Sequence, residues 1–364
     1  MPVRPLAQAD LPQVVDLYWT YMRRRKGTIP QALLDLFHQL FFVNPFSDSE
    51  LPSLVYEAPD GKVQGFLGRN VRRMSYRGQT IRVVFGGNLV VHPEFRSGIA
   101  APRLVNTFMA GNHDLALTDS ANNISMNILR RMGYTVVPAM NIHWRRPLRP
   151  SHYVIYGLSV ATQSLALATL KVAAKPFCSI ADSIASKLSS SPFRLTRPRL
   201  QGEELDLETL LHCMAEFRKG YSLWPEYNSS SLRWLLGFME SRPARGSLRR
   251  VLLRDDSKQI VGWYIYYVKP GAVGQVVQIG GDSKATKDIL DHLFWDALEH
   301  GVVGLHGVVD SRRTADFSDK GCFFTCRGGW TVASSRNPEI MKSLERGDAF
   351  FSRLDGEWCL DPGD

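Results

Sequence analysis

A strand–turn–helix junction near residue 95 carries the residues best suited to binding phosphate. The stretch Leu89–Leu104 runs from an apolar strand end, through a proline and a glycine, into an amphipathic helix. At such a junction the loop amides and the helix N-terminus attract phosphate oxygens. Arg96 adds positive charge, and small residues that let a ligand approach the backbone follow it: Gly98, Ala100 and Ala101. The alternative is an ordinary structural junction.

Two titratable side chains at strand ends are candidates for a general base. His92 ends the strand before this loop, and imidazole has a suitable unperturbed pKa. Asp119 closes the next predicted strand. The structural alternatives are a turn residue for His92 and a helix cap for Asp119. Two weaker candidates are Glu57 and Tyr18.

The chain is long enough for two domains of ordinary composition. It has 364 residues, of which 44% are hydrophobic and 22% are charged. The net charge of +9 favours anionic partners such as a phosphate-bearing cofactor, whereas no motif that reads nucleic acid is present. The odd number of cysteines, 5, and the lack of a secretion signal in the given sequence predict a cytoplasmic protein.

The elements that position these residues alternate between helix and strand. Residues 1–147 predict two helices, a strand hairpin, a long strand over 80–92, the phosphate loop with its helix, and a strand–helix–strand unit ending near Trp144. Residues 148–199 are rich in Ser and Ala and predict a helical linker. Residues 151–175 within it allow a minority interpretation, an interfacial membrane helix.

Residues 200–364 repeat the order of elements without repeating the phosphate loop. The counterpart of that loop, Gln278–Lys284, contains Asp282, whose charge would repel a pyrophosphate. The sequence therefore predicts an α/β fold with mixed sheets, in two tandem domains of which the second is degenerate. This second domain is expected to be structural or to bind the acceptor. Five of its aromatic residues could line an acceptor cleft: Trp224, Tyr227, Trp263, Tyr264 and Tyr266.

The first domain resembles the GCN5-related N-acetyltransferase superfamily. The resemblance rests on the strand followed by Val91-His-Pro-Glu-Phe-Arg96, the glycine loop and its helix, and the later Asn122–Tyr134 stretch. It covers residues 3 to about 145 well, and 200 to 360 in element order alone. It implies an acyl-CoA substrate, acetyl-CoA or another, and no metal.

The resemblance also implies which residues bind the cofactor. In the family, the end of the fourth strand splays from its neighbour and its free backbone groups bind the pantetheine arm. By position the implied residues are Leu89, Val90 and Val91 for pantetheine, Asn122 for the same arm, and Arg96, Ser97, Gly98, Ile99, Ala100 and Ala101 for the pyrophosphate.

Two departures concern the catalytic groups. The tyrosine that often acts as general acid, four residues before Gly133, is Leu129 here. The strand 80–91 contains no carboxylate, where the family often places a glutamate base. We therefore expect an N-acyltransferase, in the simplest case an N-acetyltransferase, that uses a small-molecule or sugar-type amine. The alternatives are a carrier-protein or aminoacyl-tRNA-dependent transferase and a non-catalytic CoA-binding scaffold. The sequence leaves the oligomeric state open.

Overall fold

The computed structural model describes residues 2–96, 98–162, 165–188, 191–326 and 329–362. The strands are β1 (Val3–Pro5), β2 (Leu54–Glu57), β3 (Val63–Tyr76), β4 (Gln79–Val91), β5 (Leu115–Ala121), β6 (Thr135–Val136), β7 (His143–Pro147), β8 (Gln201–Glu204), β9 (Leu223–Glu226), β10 (Ser247–Arg254), β11 (Ile260–Val268), β12 (Val273–Gly281), β13 (Gly304–Val308), β14 (Phe323–Thr325) and β15 (Trp330–Ser335).

The helices cover the faces of the sheets, as the alternating pattern predicts. They are α1 (Leu11–Leu17), α2 (Gln31–His38), α3 (Ala100–Met109), α4 (Asn123–Arg131), α5 (Pro150–Thr162), α6 (Leu165–Lys187), α7 (Leu207–Glu216), α8 (Ser229–Glu240), α9 (Thr286–Glu299), α10 (Thr314–Asp319) and α11 (Pro338–Glu345). Both α1 and α2 continue as π-helical turns, over Tyr18–Met22 and Gln39–Val43.

The β3–β4 hairpin provides the longest ladder of the first sheet, and its turn explains why the register is fixed. Arg77 and Gly78 both have positive φ, 50° and 85°. This is the pattern of a two-residue type I′ turn, whose twist matches that of the flanking strands. The turn pairs Tyr76 with Gln79, and from there the ladder extends along the hairpin to the pair of Gly65 with Val91.

The two sheets have the same strand order, which supports the predicted duplication. The first runs β1-β2-β3-β4-β5-β15-β6, with β9 added beside β3, and the second runs β8-β10-β11-β12-β13-β7-β14. In each, the fourth and fifth strands are the parallel pair, β4 with β5 and β12 with β13. In each, a helix connects this pair, α3 in the first half and α9 in the second.

Each sheet is completed by a strand from the other half of the chain. The strand β7 pairs with β13 in the second sheet, and β15 pairs with β5 in the first. The sequence predicted one strand from Tyr134 to Trp144, but the structure splits it into β6 and β7, in different sheets. The 3₁₀ turn that begins at Pro138 separates them, because proline cannot continue a ladder. The predicted boundaries 1–147 and 200–364 therefore do not separate the sheets.

The predicted helical linker forms a hairpin of α5 and α6. Asp182 ties its two helices together, accepting a hydrogen bond from the Ser151 backbone N–H at 2.7 Å and lying 2.6 Å from His152 Nδ1. Several described apolar side chains of this hairpin are exposed: Val154, Leu158, Val160, Phe177, Ile180, Ile184 and Leu188. Among the described residues, no helix is long and apolar enough to cross a bilayer.

Candidate functional site

The parallel strands β4 and β5 separate where the sequence predicts a cofactor cleft. Their pairing runs from Val83 with Leu115 to Phe85 with Leu117 and then ends. Beyond it, β4 remains bonded to β3 alone, through a bulge at Asn88, whose φ is 55°. A bulge bends a strand away from its neighbour. The backbone of β4 from Gly86 onward is therefore open on the β5 side.

A cavity of about 270 Å³ fills this opening. Its walls come from both strands, from α3 and α4, and from two residues near the C-terminus. The lining residues include Tyr18, Gly86, Gly87, Asn88, Leu89, Phe108, Leu117, Thr118, Ser120, Asn122, Leu129, Tyr134 and Glu357. The lining mixes apolar and polar side chains, and in sites for small molecules and cofactors such polar groups fix the orientation of the ligand. We name this space the splay cavity.

Glu357 supplies a buried carboxylate to the splay cavity, which Asp361 also lines. Its Oε1 accepts hydrogen bonds from Thr118 Oγ at 2.6 Å and from Ser120 Oγ. Its Oε2 is buried and has no hydrogen-bond partner among the described residues. Burial and the adjacent Asp119 charge raise the pKa of Glu357 to about 8, although the two hydroxyls act in the opposite direction. Two hydroxyls thus hold one oxygen, and the other has no hydrogen-bond partner among the described residues.

Glycine in β4 makes room for this carboxylate. A Cβ at Gly87 would overlap Glu357 Oε2, closer than any real contact. The Glu357 carboxylate therefore occupies the space that a β4 side chain would take. The sequence analysis found no carboxylate in this strand; the structure brings one there from a segment 239 positions away from Thr118. No local pattern in the sequence marks Glu357, and the carboxylate-free strand was the one indirect signal.

Asp119 holds the C-terminal segment in place instead of capping a helix. Its Oδ1 accepts the backbone N–H of Glu357 at 2.9 Å, and a Cβ at Gly356 would overlap its Oδ2. Burial raises the pKa of Asp119 to about 6, while hydrogen bonds from Glu357 and Trp358 N–H oppose the rise. The helix cap is Asn122, whose side chain accepts the Ser125 N–H at 2.9 Å.

Two of the other predicted base candidates lie outside the splay cavity and have other partners, whereas a third lines the cavity. His92 Nε2 is 2.8 Å from the Tyr21 hydroxyl, and His92 does not line the cavity. Glu57 is ion-paired with Arg4. Tyr18 does line the cavity. The structure therefore brings Glu357, and none of the predicted carboxylates or imidazoles, into contact with the cavity.

The predicted cofactor residues fall into two groups. Leu89 and Asn122 line the splay cavity. Val90 and Val91 are buried beside it, and Val91 packs in one core cluster with Ala100. The remaining predicted residues form the loop and first turn beyond the strand end: Arg96, Gly98, Ile99, Ala100 and Ala101. Ser97 lies outside the described residues.

The loop after β4 presents unused donors. Arg96 Nε donates to the Val91 carbonyl at 2.9 Å, which fixes the arginine beside the strand end. Among the described residues, no side chain caps the first turn of α3, so its backbone N–H groups remain available. A Cβ at Gly98 would meet nothing closer than the Phe95 carbonyl oxygen at 3.5 Å. Open backbone at a helix N-terminus suits an anionic group.

Another residue brings a tyrosine hydroxyl to the cavity that Leu129 lines, although Leu129 itself replaces the tyrosine that often acts as general acid in the family. Tyr134, five residues later, lines the same cavity as Leu129. Its hydroxyl is buried and has no hydrogen-bond partner in the described part of the chain. Burial raises the pKa of Tyr134, and the charge of Arg69 lowers it. A protonated, unpartnered phenol in a cavity can serve as a proton donor.

The equivalent cleft of the second half is filled. The pairing of β12 with β13 also ends early, at Gln275 with His306. Residues 350–353 enter the gap, where Arg353 N–H donates to the Val277 carbonyl and Gln278 Nε2 to Ser352 Oγ, each at 3.1 Å. The remaining cavity is about 30 Å³. Among the described residues, the cleft between β12 and β13 thus keeps the arrangement of the fold and lacks room for a cofactor.

The aromatic residues expected at an acceptor cleft separate into two sets. Trp263, Tyr264 and Tyr266 are fully buried in the core. Trp224 and Tyr227 line a groove of about 790 Å³ between the β3–β4 hairpin and α7–α8. The prediction of one aromatic acceptor cleft is therefore wrong for the three strand residues, which serve packing.

Comparisons with solved structures identify the fold. A protein from Enterococcus faecalis V583 described as a probable N-acyltransferase superposes with a TM-score of 0.59 at 11% identity, over 92% of this chain and 72% of that one. A GCN5-related N-acetyltransferase from Anabaena variabilis ATCC 29413 gives 0.59 at 12%, over 93% and 73%. Saccharomyces cerevisiae N-myristoyltransferase with bound myristoyl-CoA gives 0.53 at 11%, over 91% and 77%.

No protein-family model matches the chain, and no curated protein matches its sequence. The structural matches cover both halves of the chain, so the similarity extends beyond the first half, where the sequence pattern was clear. At such low identity they concern the fold alone. The chain has the fold of the GCN5-related N-acetyltransferases, in a tandem form with exchanged strands.

Proposed function

We propose that the chain is an N-acyltransferase that moves an acyl group, acetyl in the simplest case, from acyl-CoA to an amine. The observation that carries this proposal is the buried Glu357 carboxylate, which lines the cavity at the separation of β4 and β5 and whose Oε2 has no hydrogen-bond partner among the described residues. A carboxylate whose pKa lies near 8 is suited to general-base work near neutral pH. The fold shared with acyltransferases supports the same reaction class.

Acyl-CoA would bind along the open edge of β4. The pantetheine arm would lie in the splay cavity against the backbone of Gly86–Leu89, with Asn122 beside it. The pyrophosphate would meet Arg96 and the uncapped start of α3. Such binding holds the thioester carbonyl near Glu357, and positioning supplies much of the acceleration.

The reaction then needs three proton transfers. Glu357 takes a proton from the acceptor ammonium, and the free amine attacks the thioester carbonyl carbon. The C–N bond forms, the C–S bond breaks, and the departing thiolate takes a proton from the Tyr134 hydroxyl. The second proton of the attacking nitrogen leaves to solvent, so the products are an amide and CoA thiol. Solvent then restores the protonation states of both side chains.

The test of the donor site is a calorimetric titration of acetyl-CoA and CoA into wild type and two Gly98 variants. Gly98→Asp places a carboxylate beside the pyrophosphate, and repulsion between such close charges weakens binding by about tenfold or more. Gly98→Asn has nearly the same shape without the charge and should bind as wild type does. Open space around Gly98 means that both variants should fold. Equal affinities for both variants would remove the pyrophosphate from this loop.

Asp119→Asn distinguishes the role of the Asp119 carboxyl group from that of Glu357. The amide oxygen of the substituted side chain still accepts the Glu357 N–H, but the charge that raises the Glu357 pKa is gone. We expect activity to persist and the rising limb of the rate-against-pH profile to move to lower pH. The profile is measured with one acceptor in wild type and variant. Loss of all activity, with no shift, would favour Asp119 itself as the base.

Tyr134→Phe tests the proton donor. Removing the hydroxyl should lower kcat by about tenfold or more, because the thiolate then leaves without a positioned acid. CoA affinity should not change, since the ring that lines the cavity remains. An acyl donor with a more acidic thiol should recover part of the loss. An unchanged kcat would assign protonation to solvent.

Two other functions remain distinguishable from this proposal. A carrier-protein or aminoacyl-tRNA-dependent transferase would accept an acyl group from those donors and bind CoA weakly or not at all. A non-catalytic scaffold would bind CoA in the titration and release no CoA from acetyl-CoA with any amine. The unpartnered Glu357 oxygen favours catalysis over the scaffold, because a binding protein has no need of a buried, uncompensated carboxylate.

A further inference from the structure

A second cavity shares the lining residue Ser120 with the splay cavity. This second cavity has a volume of about 300 Å³ and lies between the two sheets. Ser120 lines both cavities and donates to Glu357 Oε1, so the carboxylate stands at their junction. The volume is at the lower end of the range for small-molecule sites. We name this space the junction cavity.

One wall of the junction cavity is basic. Arg353 lines it, is 7% exposed, and has an Nη1 with no hydrogen-bond partner among the described residues. Its Nη2 donates to His306 Nδ1 at 3.2 Å, which leaves the proton of neutral His306 on Nε2. Arg145, which is exposed, and His143 complete this wall.

The histidines of this wall are neutral donors near pH 7. Burial and the Arg353 charge hold the pKa of His306 well below its ordinary value, and the same two causes lower that of His143. The positive charge of the wall therefore comes from the arginines. A buried guanidinium whose Nη1 lacks a partner is costly unless a bound anion satisfies it. The geometry suits a planar carboxylate, which guanidinium groups bind in a fork.

The facing wall is acidic. Asp119 and Ser120, on β5, line it, and Asp119 is the acidic side chain among the described lining residues. Arg353 acts on Asp119 through space and lowers its pKa, so the two walls are near each other. A ligand between them would place a positive group towards Asp119 and Glu357 and a negative group towards Arg353. Opposite walls of opposite charge select a zwitterion.

We propose that the junction cavity binds the acyl acceptor and that this acceptor is an amino acid-like zwitterion, with its carboxylate on Arg353 and its amine towards Asp119. This placement rests on the proposed function for the role of the amine, and it puts the reacting nitrogen on the Glu357 side of the cavity. The carboxylate sets the orientation. The site is made from both halves of the chain, since β5 supplies the acidic wall, and β7, β13 and the segment that carries Arg353 supply the basic one.

The test is a thermal-shift titration of the full chain with each standard amino acid and its primary amide, at matched ionic strength. At least one amino acid should raise Tm with a saturable midpoint, and its amide should need a concentration about tenfold higher or more, because the arginine fork then lacks its anion. Inorganic phosphate is titrated in parallel. A larger shift with phosphate than with any amino acid would overturn the carboxylate assignment.

Arginine variants test whether the thermal shift caused by an amino acid arises in the junction cavity. Arg353→Gln should remove the amino-acid response, and Arg353→Lys should weaken it, because a lysine keeps the charge without the fork. Arg346→Gln makes the same charge change at an exposed position away from the cavity and should respond as wild type does. Unchanged CoA affinity in the Arg353 variants shows that they fold and that the donor site is intact. Arg145→Gln, at an exposed position, should raise the midpoint modestly and provides a second check.

Each outcome has one meaning. If no amino acid gives a shift that depends on Arg353, the acceptor inference is wrong, whatever the chain does with CoA. If wild type fails to bind CoA but shows the Arg353-dependent shift, the proposed acyl transfer fails and the zwitterion site stands. If both appear, the amino acid with the lowest midpoint is the first acceptor to combine with acetyl-CoA, followed by measurement of CoA thiol release.

Discussion

Glu357→Gln lowers the rate of acyl transfer by about 10²–10⁴-fold and leaves CoA affinity unchanged. The side-chain amide can still accept the Thr118 and Ser120 hydroxyls, so the C-terminal segment stays in place. What is lost is the basic Oε2 in the splay cavity. The measurement is initial-rate kinetics of CoA thiol release with a fixed acceptor. Glu345→Gln, at an exposed position on α11, is the matched control and should have wild-type activity.

The pH profile gives the same experiment a second readout. The base acts when it is deprotonated, so the wild-type rate should rise with pH through about 8, the raised pKa of Glu357. In Glu357→Gln this limb should disappear, leaving only the titration of the acceptor amine. A variant that keeps the full limb, or whose rate stays close to that of wild type, would show that Glu357 is not the base.

Glu357→Gln should lower activity but raise the free energy of unfolding at about pH 8. The fold raises the pKa of Glu357 from 4.5 to about 8, so the folded chain binds more protons than the unfolded chain between these values. The contribution of this group is therefore present below about pH 4.5 and is lost as the pH rises towards 8. Glu357→Gln should flatten that part of the Tm-against-pH curve and be the more stable protein at about pH 8.

Fragments 1–147 and 148–364 do not fold separately, and they reconstitute a CoA-binding complex when they are produced together. The first fragment lacks β15, which pairs with β5, and the second lacks β7, which pairs with β13. Each fragment alone exposes an unpaired edge inside a sheet, and such edges promote aggregation. Solubility, the amide dispersion of NMR spectra and CoA calorimetry measure the result.

A fragment pair cut inside the linker, 1–188 and 191–364, provides the control for the position of the break. It also separates β7 from β13, so it should behave in the same way. A first fragment that is monomeric, well dispersed in NMR spectra and able to bind CoA by itself would show that the exchanged strands are dispensable.

The elements of the first half could be predicted because each has a local signal. Hydrophobic periodicity marks α3, and Gly133 ends α4, so their bounds lie within about two residues of the expected ones. The separation of β4 from β5 followed from the resemblance and is present at Phe85. The repeat of element order predicted the second sheet correctly, since periodicity reports elements regardless of their partners.

The pairing partner of each strand has no local signal in the sequence. Nothing in the sequence of β7 distinguishes a strand that closes its own sheet from one that crosses to the other, since both need the same alternation of side chains. The same holds for Glu357, which reaches Thr118 by tertiary packing of a segment without periodicity. Asp119 was expected to close its strand, whereas β5 continues to Ala121, and its contact with residues 357–358 depends on the same long-range packing.

Residues 350–357 contact the two halves of the chain differently, although the two sheets have the same strand order. In a dimer of two identical chains that exchange strands, this segment would occur twice, related by the symmetry axis, and each cleft would meet the same residues. A fused chain has one such segment. Here it fills the cleft between β12 and β13 with residues 350–353 and reaches the opposite cleft with Glu357. A segment that occurs once in the chain thus contacts the two clefts differently, filling one and supplying a carboxylate to the other.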